Sequence, residues 1–123
     1  MARTAITPTS LIAEGTVNLT ALSATASPTT GVGNGVSFSN TGQQTVIVSA
    51  GTATGQTATI LVGTTVLGQA VSSFTVNLIT SAIQTLGPFH TLDDQPGSNT
   101  VFVDFTFSAG TTTCGLLQWV GVY

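Results

Sequence analysis

The sequence predicts an all-β protein: a single antiparallel β-sandwich or barrel, jelly-roll-like, with an extended N-terminal arm. Three observations predict it. Thr, Val, Ile and Phe dominate the chain, while Lys, Glu, Arg and Met, the residues that favour helices, are nearly absent. Several short runs place apolar residues with a period of two. Clusters of Gly, Asn, Asp and Pro separate these runs at short intervals, as in sandwiches and barrels. The 123 residues allow one domain. Residues 1–35 read as the arm and linker, and residues 36–123 as the β-domain.

The arm is rich in Thr and Ser, contains Pro8 and Pro28, and carries scattered apolar pegs at Ile6, Leu11, Ile12, Val17, Leu19 and Leu22. Such a terminus frays unless something ties it down. It is therefore expected either to add a strand to its own sheet or to lie along a partner. No helix is expected in it.

Thr45 to Ala50 and Thr57 to Val62 are β-branched runs, joined by the Gly-rich stretch Gly51 to Gln56 as a hairpin-like connection. Phe74 to Thr80 alternates, with Phe74, Val76 and Leu78 on one face. Val101, Val103, Phe105 and Phe107 alternate with Phe102, Asp104 and Thr106. Gly115 to Tyr123 is apolar on both faces, Leu117 and Trp119 on one, Leu116, Val120 and Val122 on the other. That pattern predicts a central or covered strand. Gly31 to Gly35, Asn40-Thr41-Gly42, Asp93 to Gly97 and Ala109-Gly110-Thr111 are turns.

The charge inventory excludes whole classes of function. Charged residues make up 4% of the chain, against roughly 25% in ordinary soluble domains. Arg3 is the only basic residue. One cation cannot neutralise a run of phosphates, so nucleic acid is excluded as a partner by the usual electrostatic route. An anionic membrane surface is excluded for the same reason. Ser and Thr, roughly 30% of the chain, must solvate the surface instead of charge. A surface so neutral suits a protein packed against neighbours. Cys114 stands alone, so no internal disulfide is expected. No secretory signal is read at the N-terminus, which predicts synthesis in a cytoplasm. Asn18-Leu19-Thr20 matches a glycosylation sequon that such a route would leave unused.

Catalytic and metal-binding constellations are weak. His90, Asp93 and Asp94, with Asp104 downstream, contain metal-ligand types but no diagnostic spacing, and read as turn chemistry. Cys114, His90 and Asp104 can be written as a nucleophilic set, yet nothing around Cys114 activates a thiol, and a buried thiol is expected. No G-x-S-x-G elbow and no phosphate-binding glycine spacing occur. The chain is accordingly expected not to be an enzyme and to need no cofactor or metal. Trp119 and Tyr123 are candidate interface aromatics, for a partner surface or a sugar.

From Asn40 onward the chain resembles small structural proteins of tailed-bacteriophage heads, the capsid decoration or cement proteins. The resemblance rests on Met1-Ala2-Arg3-Thr4, on Asn40-Thr41-Gly42-Gln43-Gln44 before a β-run, and on Leu86-Gly87-Pro88-Phe89 between strands. An acidic turn then leads into Val101-Phe102-Val103-Asp104-Phe105. Gly87, Pro88 and Phe89 form its most specific phrase, a structural turn. The resemblance departs over Ala21 to Gly35, a long Thr/Ser/Gly stretch, and in the shortage of Lys and Arg. It implies a non-enzymatic virion protein, made in the bacterial cytoplasm, that sits on the capsid exterior. It implies a homotrimer or other homo-oligomer that binds the major capsid protein and cements neighbouring subunits. Ile6, Leu11 and Ile12 are then the expected arm contacts with the shell. The alternative function is a receptor- or glycan-binding module of a tail tip or fibre, or another head–tail or tail-tube structural protein.

Overall fold

In a computed structural model the chain is a β-sandwich of a five-stranded and a four-stranded sheet, with a separate two-stranded ribbon. The structure describes residues 3–11, 15–52, 55–62, 65–66, 69–70, 73–89, 94–95, 98–107 and 111–119. The strands are β1 (Thr4–Ala5), β2 (Pro8–Leu11), β3 (Val36–Ser39), β4 (Gln44–Ser49), β5 (Thr57–Leu61) and β6 (Thr65–Val66). They continue as β7 (Gln69–Ala70), β8 (Phe74–Asn77), β9 (Ile83–Leu86), β10 (Thr100–Thr106) and β11 (Thr113–Trp119). A one-turn helix, α1 (Leu19–Ser23), precedes β3.

The larger sheet runs β1-β3-β10-β5-β8, and the smaller β2-β11-β4-β9. Both sheets remain open, so the fold is a sandwich rather than a barrel. Successive long strands mostly change sheet. β3 and β4 lie in opposite sheets, and so do β4 and β5, β8 and β9, and β10 and β11. The stretch from Gly51 to Gln56 is therefore not a hairpin turn, as its Gly content suggested, but a crossing from one layer to the other. Gln56 holds the described part of that crossing. Its side-chain Oε1 accepts from Gly51 N at 3.0 Å and from Thr112 Oγ1 at 2.9 Å.

The core follows from period-two patterning. Val36 and Phe38 of β3, Val101, Val103 and Phe105 of β10, and Ala58 and Ile60 of β5 point inward from the larger sheet. Val46 and Val48 of β4, Cys114 and Leu116 of β11, and Leu86 of β9 meet them from the smaller one. Phe89 follows a cis Gly87–Pro88 peptide and is buried against Phe38, with ring centroids 5.2 Å apart. The phrase Gly87-Pro88-Phe89 thus turns the chain out of β9 and returns an aromatic to the core.

The first residues do not extend away from the domain. β1 pairs parallel with β3, and β2 pairs parallel with β11, so the segment passes from one sheet edge to the other. Ile6 lies at the crossing, donates its N–H to Ser37 O at 2.9 Å, and is buried between the sheets. An apolar peg needs a socket, and this one is in its own chain.

The final strand is expected over Gly115 to Tyr123; residues 120–123 lie outside the described ones, and up to Leu117 β11 is covered on both faces. Leu116 of β11 faces the inter-sheet core, and Leu117 packs outward against Ile47 and Leu22. Leu22 comes from α1, which the sequence reading did not expect. A single turn is too short to show helical periodicity, but Asn18 caps it, its Oδ1 accepting from Thr20 N at 3.0 Å and Ala21 N at 3.2 Å. Beyond the turn, Ala26 exchanges backbone hydrogen bonds with Cys114 at 2.8 and 2.9 Å.

Gly115 permits this docking. A Cβ built there would lie 2.1 Å from the Leu22 carbonyl oxygen, a backbone atom that cannot swing aside. Gly115→Ala is therefore expected to destabilise the fold by about 1–3 kcal/mol, as overpacking does. In hydrogen exchange the amides of residues 22–26 should lose protection before those of β4 and β10. Unchanged protection at Ala26 would contradict this account.

Candidate functional site

The outer face of the smaller sheet holds a recess. Residues 15–19 pass over it and leave a groove of about 360 Å³ beside them. The groove is bounded by Leu11 from β2, Leu117 from β11, Thr45 and Ile47 from β4, and Thr85 from β9, with Val17 and Leu19 on its rim. Thr85 lies opposite Ile47 and Leu117 opposite Thr45, so period two puts all four on the outer face. Leu19 is 43% exposed there. Among the described residues no charged side chain lines it. On the other flank of residues 16–22 a second recess is lined by Thr9, Ser10, Thr16, Asn18 and Thr25, with Val17, Ala21 and Leu22. One face thus offers apolar contacts and hydroxyl donors side by side.

The opposite face of the sandwich carries an ion pair. Arg3 grips Asp104 of β10 through Nε to Oδ1 at 2.7 Å and Nη2 to Oδ2 at 2.8 Å. Gly33 N and Gly35 N donate to the same carboxylate at 2.9 and 3.1 Å. The guanidinium also stacks over the Phe102 ring, 4.2 Å from its centroid. Gly35 must be glycine, because a Cβ would sit 1.9 Å from the Val103 carbonyl oxygen. Burial pushes the Asp104 carboxyl up. The Arg3 hydrogen bond, the Gly33 N–H, the Arg3 charge and the Gly35 N–H outweigh it and hold the group below its ordinary 3.8. This cluster is a latch: both carboxylate oxygens are engaged, by the guanidinium and by two backbone N–H groups.

The expected site residues distribute unevenly. Leu11 reaches the groove wall, whereas Ile6 is in the core, a correction to its expected role as an outward contact. The backbone of Trp119 pairs with Leu11 at the end of β11. Ile12 and Tyr123 lie outside the described residues, as do Glu14, His90 and Asp93. Asp94 bridges to Val101 and accepts from Asn40 Nδ2 at 2.9 Å, which makes it part of a turn's own bonding. Among the described residues no three His, Cys, Asp or Glu side chains converge as a metal site would require. Cys114 is buried between the sheets, and burial pushes its thiol up to about 12. Val17 and Leu19 form the groove rim but looked like two more pegs in the sequence. The cap at Asn18 was the one local signal of their placement. No helix among the described residues is long and apolar enough to cross a membrane.

Comparison with family models, with curated proteins and with solved structures gives no match for this chain.

Asp104→Asn should leave the Arg3 charge without its counter-ion and cost about 3 kcal/mol, read as a lowered Tm. The pH dependence has a definite sign. A carboxyl held below its unfolded value contributes stability that is complete above that value, near pH 4, and is lost as pH falls through the folded value. The wild type should therefore lose stability below about pH 4, and Asp104→Asn should lose markedly less over the same interval.

Proposed function

We propose that this protein is a non-enzymatic structural component of a tailed-bacteriophage virion. It binds the outer surface of the icosahedral shell and bridges neighbouring major capsid subunits. One observation carries the proposal: a sheet face of the molecule holds a groove whose described lining is free of charge. An apolar side chain from a partner fits such a groove, and the adjoining hydroxyl-lined recess supplies hydrogen bonds around it. The head-protein resemblance from Asn40 onward supports the same assignment. So does the arrangement of the charges: the only cation lies in a latch, leaving contacts to apolar and hydroxyl groups.

In this mechanism strength comes from repetition. Each copy contributes a modest contact area, and many copies on a closed lattice together resist outward pressure on the shell. The arm holds the binding domain together, and the groove, not Ile6, makes the contact. Of the two expected arm contacts among the described residues, Leu11 takes this role, as part of the groove wall.

Co-sedimentation with purified shells lacking the protein tests the proposal. Leu19→Asp, on the exposed rim, should lower affinity about tenfold or more, equivalent to some 1.4 kcal/mol. Wild-type binding should change little between low and high salt, since no ion pairs form. Unaltered binding by Leu19→Asp, or a steep salt dependence, would refute the groove as the contact.

A further inference from the structure

The two long sides of the sandwich are finished differently. On one side the sheets end in β1, only two residues long, and in β2, which begins with Pro8. Short strands and prolines are the devices by which sheets avoid pairing with other chains. On the other side the sheets end in β8 and β9, Phe-Thr-Val-Asn and Ile-Gln-Thr-Leu, with neither proline nor charge. Phe74, Ile79 and Ile83 are exposed along this side by 61%, 64% and 44%.

The register shows which backbone groups of β8 are free. Leu78 N donates to Gln56 O, so Leu78, Val76 and Phe74 direct their backbone groups toward β5. In an antiparallel ladder the alternate residues, Thr75 and Asn77, direct theirs away from it. Among the described residues nothing pairs with those N–H groups. On β9 the equivalent residues are Ile83 and Thr85, but there Gln84 folds back so that its Oε1 accepts from Ile79 N at 2.6 Å. β8 is the less encumbered edge.

We propose that β8 pairs with β8 of a second copy of this chain, antiparallel about a two-fold axis at Val76. That register sets Thr75 opposite Asn77 of the other copy, twice, which forms four backbone hydrogen bonds. It sets Phe74 opposite Leu78 on the core-facing side, so the exposed ring is covered by the other copy's apolar edge. The two larger sheets become one continuous sheet. A two-fold interface brings each residue near its own counterpart, so any charge near the axis would meet its like. The acidic residues outside the latch are Glu14, Asp93 and Asp94, and none lies on β8. This contact is separate from the groove and holds whether or not the protein sits on a shell.

Val76→Cys tests the register. Residues facing each other in a non-hydrogen-bonded antiparallel pair have Cα atoms about 4.5 Å apart, inside the range of about 4.4–6.8 Å that a disulfide accepts. Mild oxidation should convert Val76→Cys to a covalent dimer, while Asn77→Cys, out of alignment with itself, should cross-link poorly. Native Cys114 is buried and should contribute no background. Sedimentation of the wild type should show a monomer–dimer equilibrium that shifts with concentration. Thr75→Pro removes an N–H the monomer does not use and, besides it, only an exposed hydroxyl contact with Thr59 at 3.1 Å, so its circular dichroism melt should stay near wild type while the dimer is lost. Phe74→Asp should likewise shift sedimentation toward monomer. A wild-type monomer at every concentration, a trimer, equal cross-linking of both cysteine variants, or a dimer that survives Thr75→Pro would each overturn the proposal.

Discussion

The bond between Arg3 and Asp104 organises more of this molecule than its size suggests. It joins residues 101 positions apart and closes the N-terminal segment against β10. The same carboxylate collects the N–H groups of Gly33 and Gly35, and so fixes the loop that delivers the chain into β3. β1 then pairs with β3, Ile6 enters the core, and β2 continues onto β11. A chain with one basic residue cannot distribute ionic contacts over its surface. It uses that residue once, in a bidentate and partly buried geometry where a charge-assisted bond is strong. The stacked Phe102 ring and the absence of a Cβ at Gly35 make room for it.

The smaller sheet is organised by an opposite constraint, the need to cover a second apolar face. Ile47 and Leu117 point away from the main core, where a sandwich strand ordinarily presents polar residues to water. α1 and the residues before it lie across them, admitted by Gly115. The cover is incomplete, and the remaining opening is the groove. The candidate binding surface is thus a consequence of how the arm returns over the sheet. The latch and the groove lie on opposite faces of the sandwich, which keeps the charged cluster away from the proposed contact.

The two surfaces proposed for contact differ in kind. The groove offers side-chain recognition, with apolar depth and hydroxyl neighbours. The β8 edge offers backbone pairing that is indifferent to side-chain identity beyond Phe74. A protein that joins its own copies through one surface and another protein through a different one can build a connected network. The scarcity of charge favours both proposed contacts, because few like charges would face each other across them.

Local patterning determined a good deal. The alternation of Val101, Val103 and Phe105, and the two apolar faces around Leu116 and Leu117, were visible because strand periodicity repeats every second residue. The all-β class and the buried thiol follow from the same short-range chemistry. Tertiary structure alone decided the rest. Gly51 to Gln56 has hairpin composition, but β4 finds its partners in β11 and β9, so the turn becomes a crossing. Ile6 and Leu11 look alike in the sequence, yet one is core and the other groove wall. Asp104 alternates in the sequence with the core positions of its strand, and only the fold brings Arg3 and the glycine loop over it. A residue's neighbours along the chain set which way it faces, but which layer lies in front of it depends on partners tens of residues away.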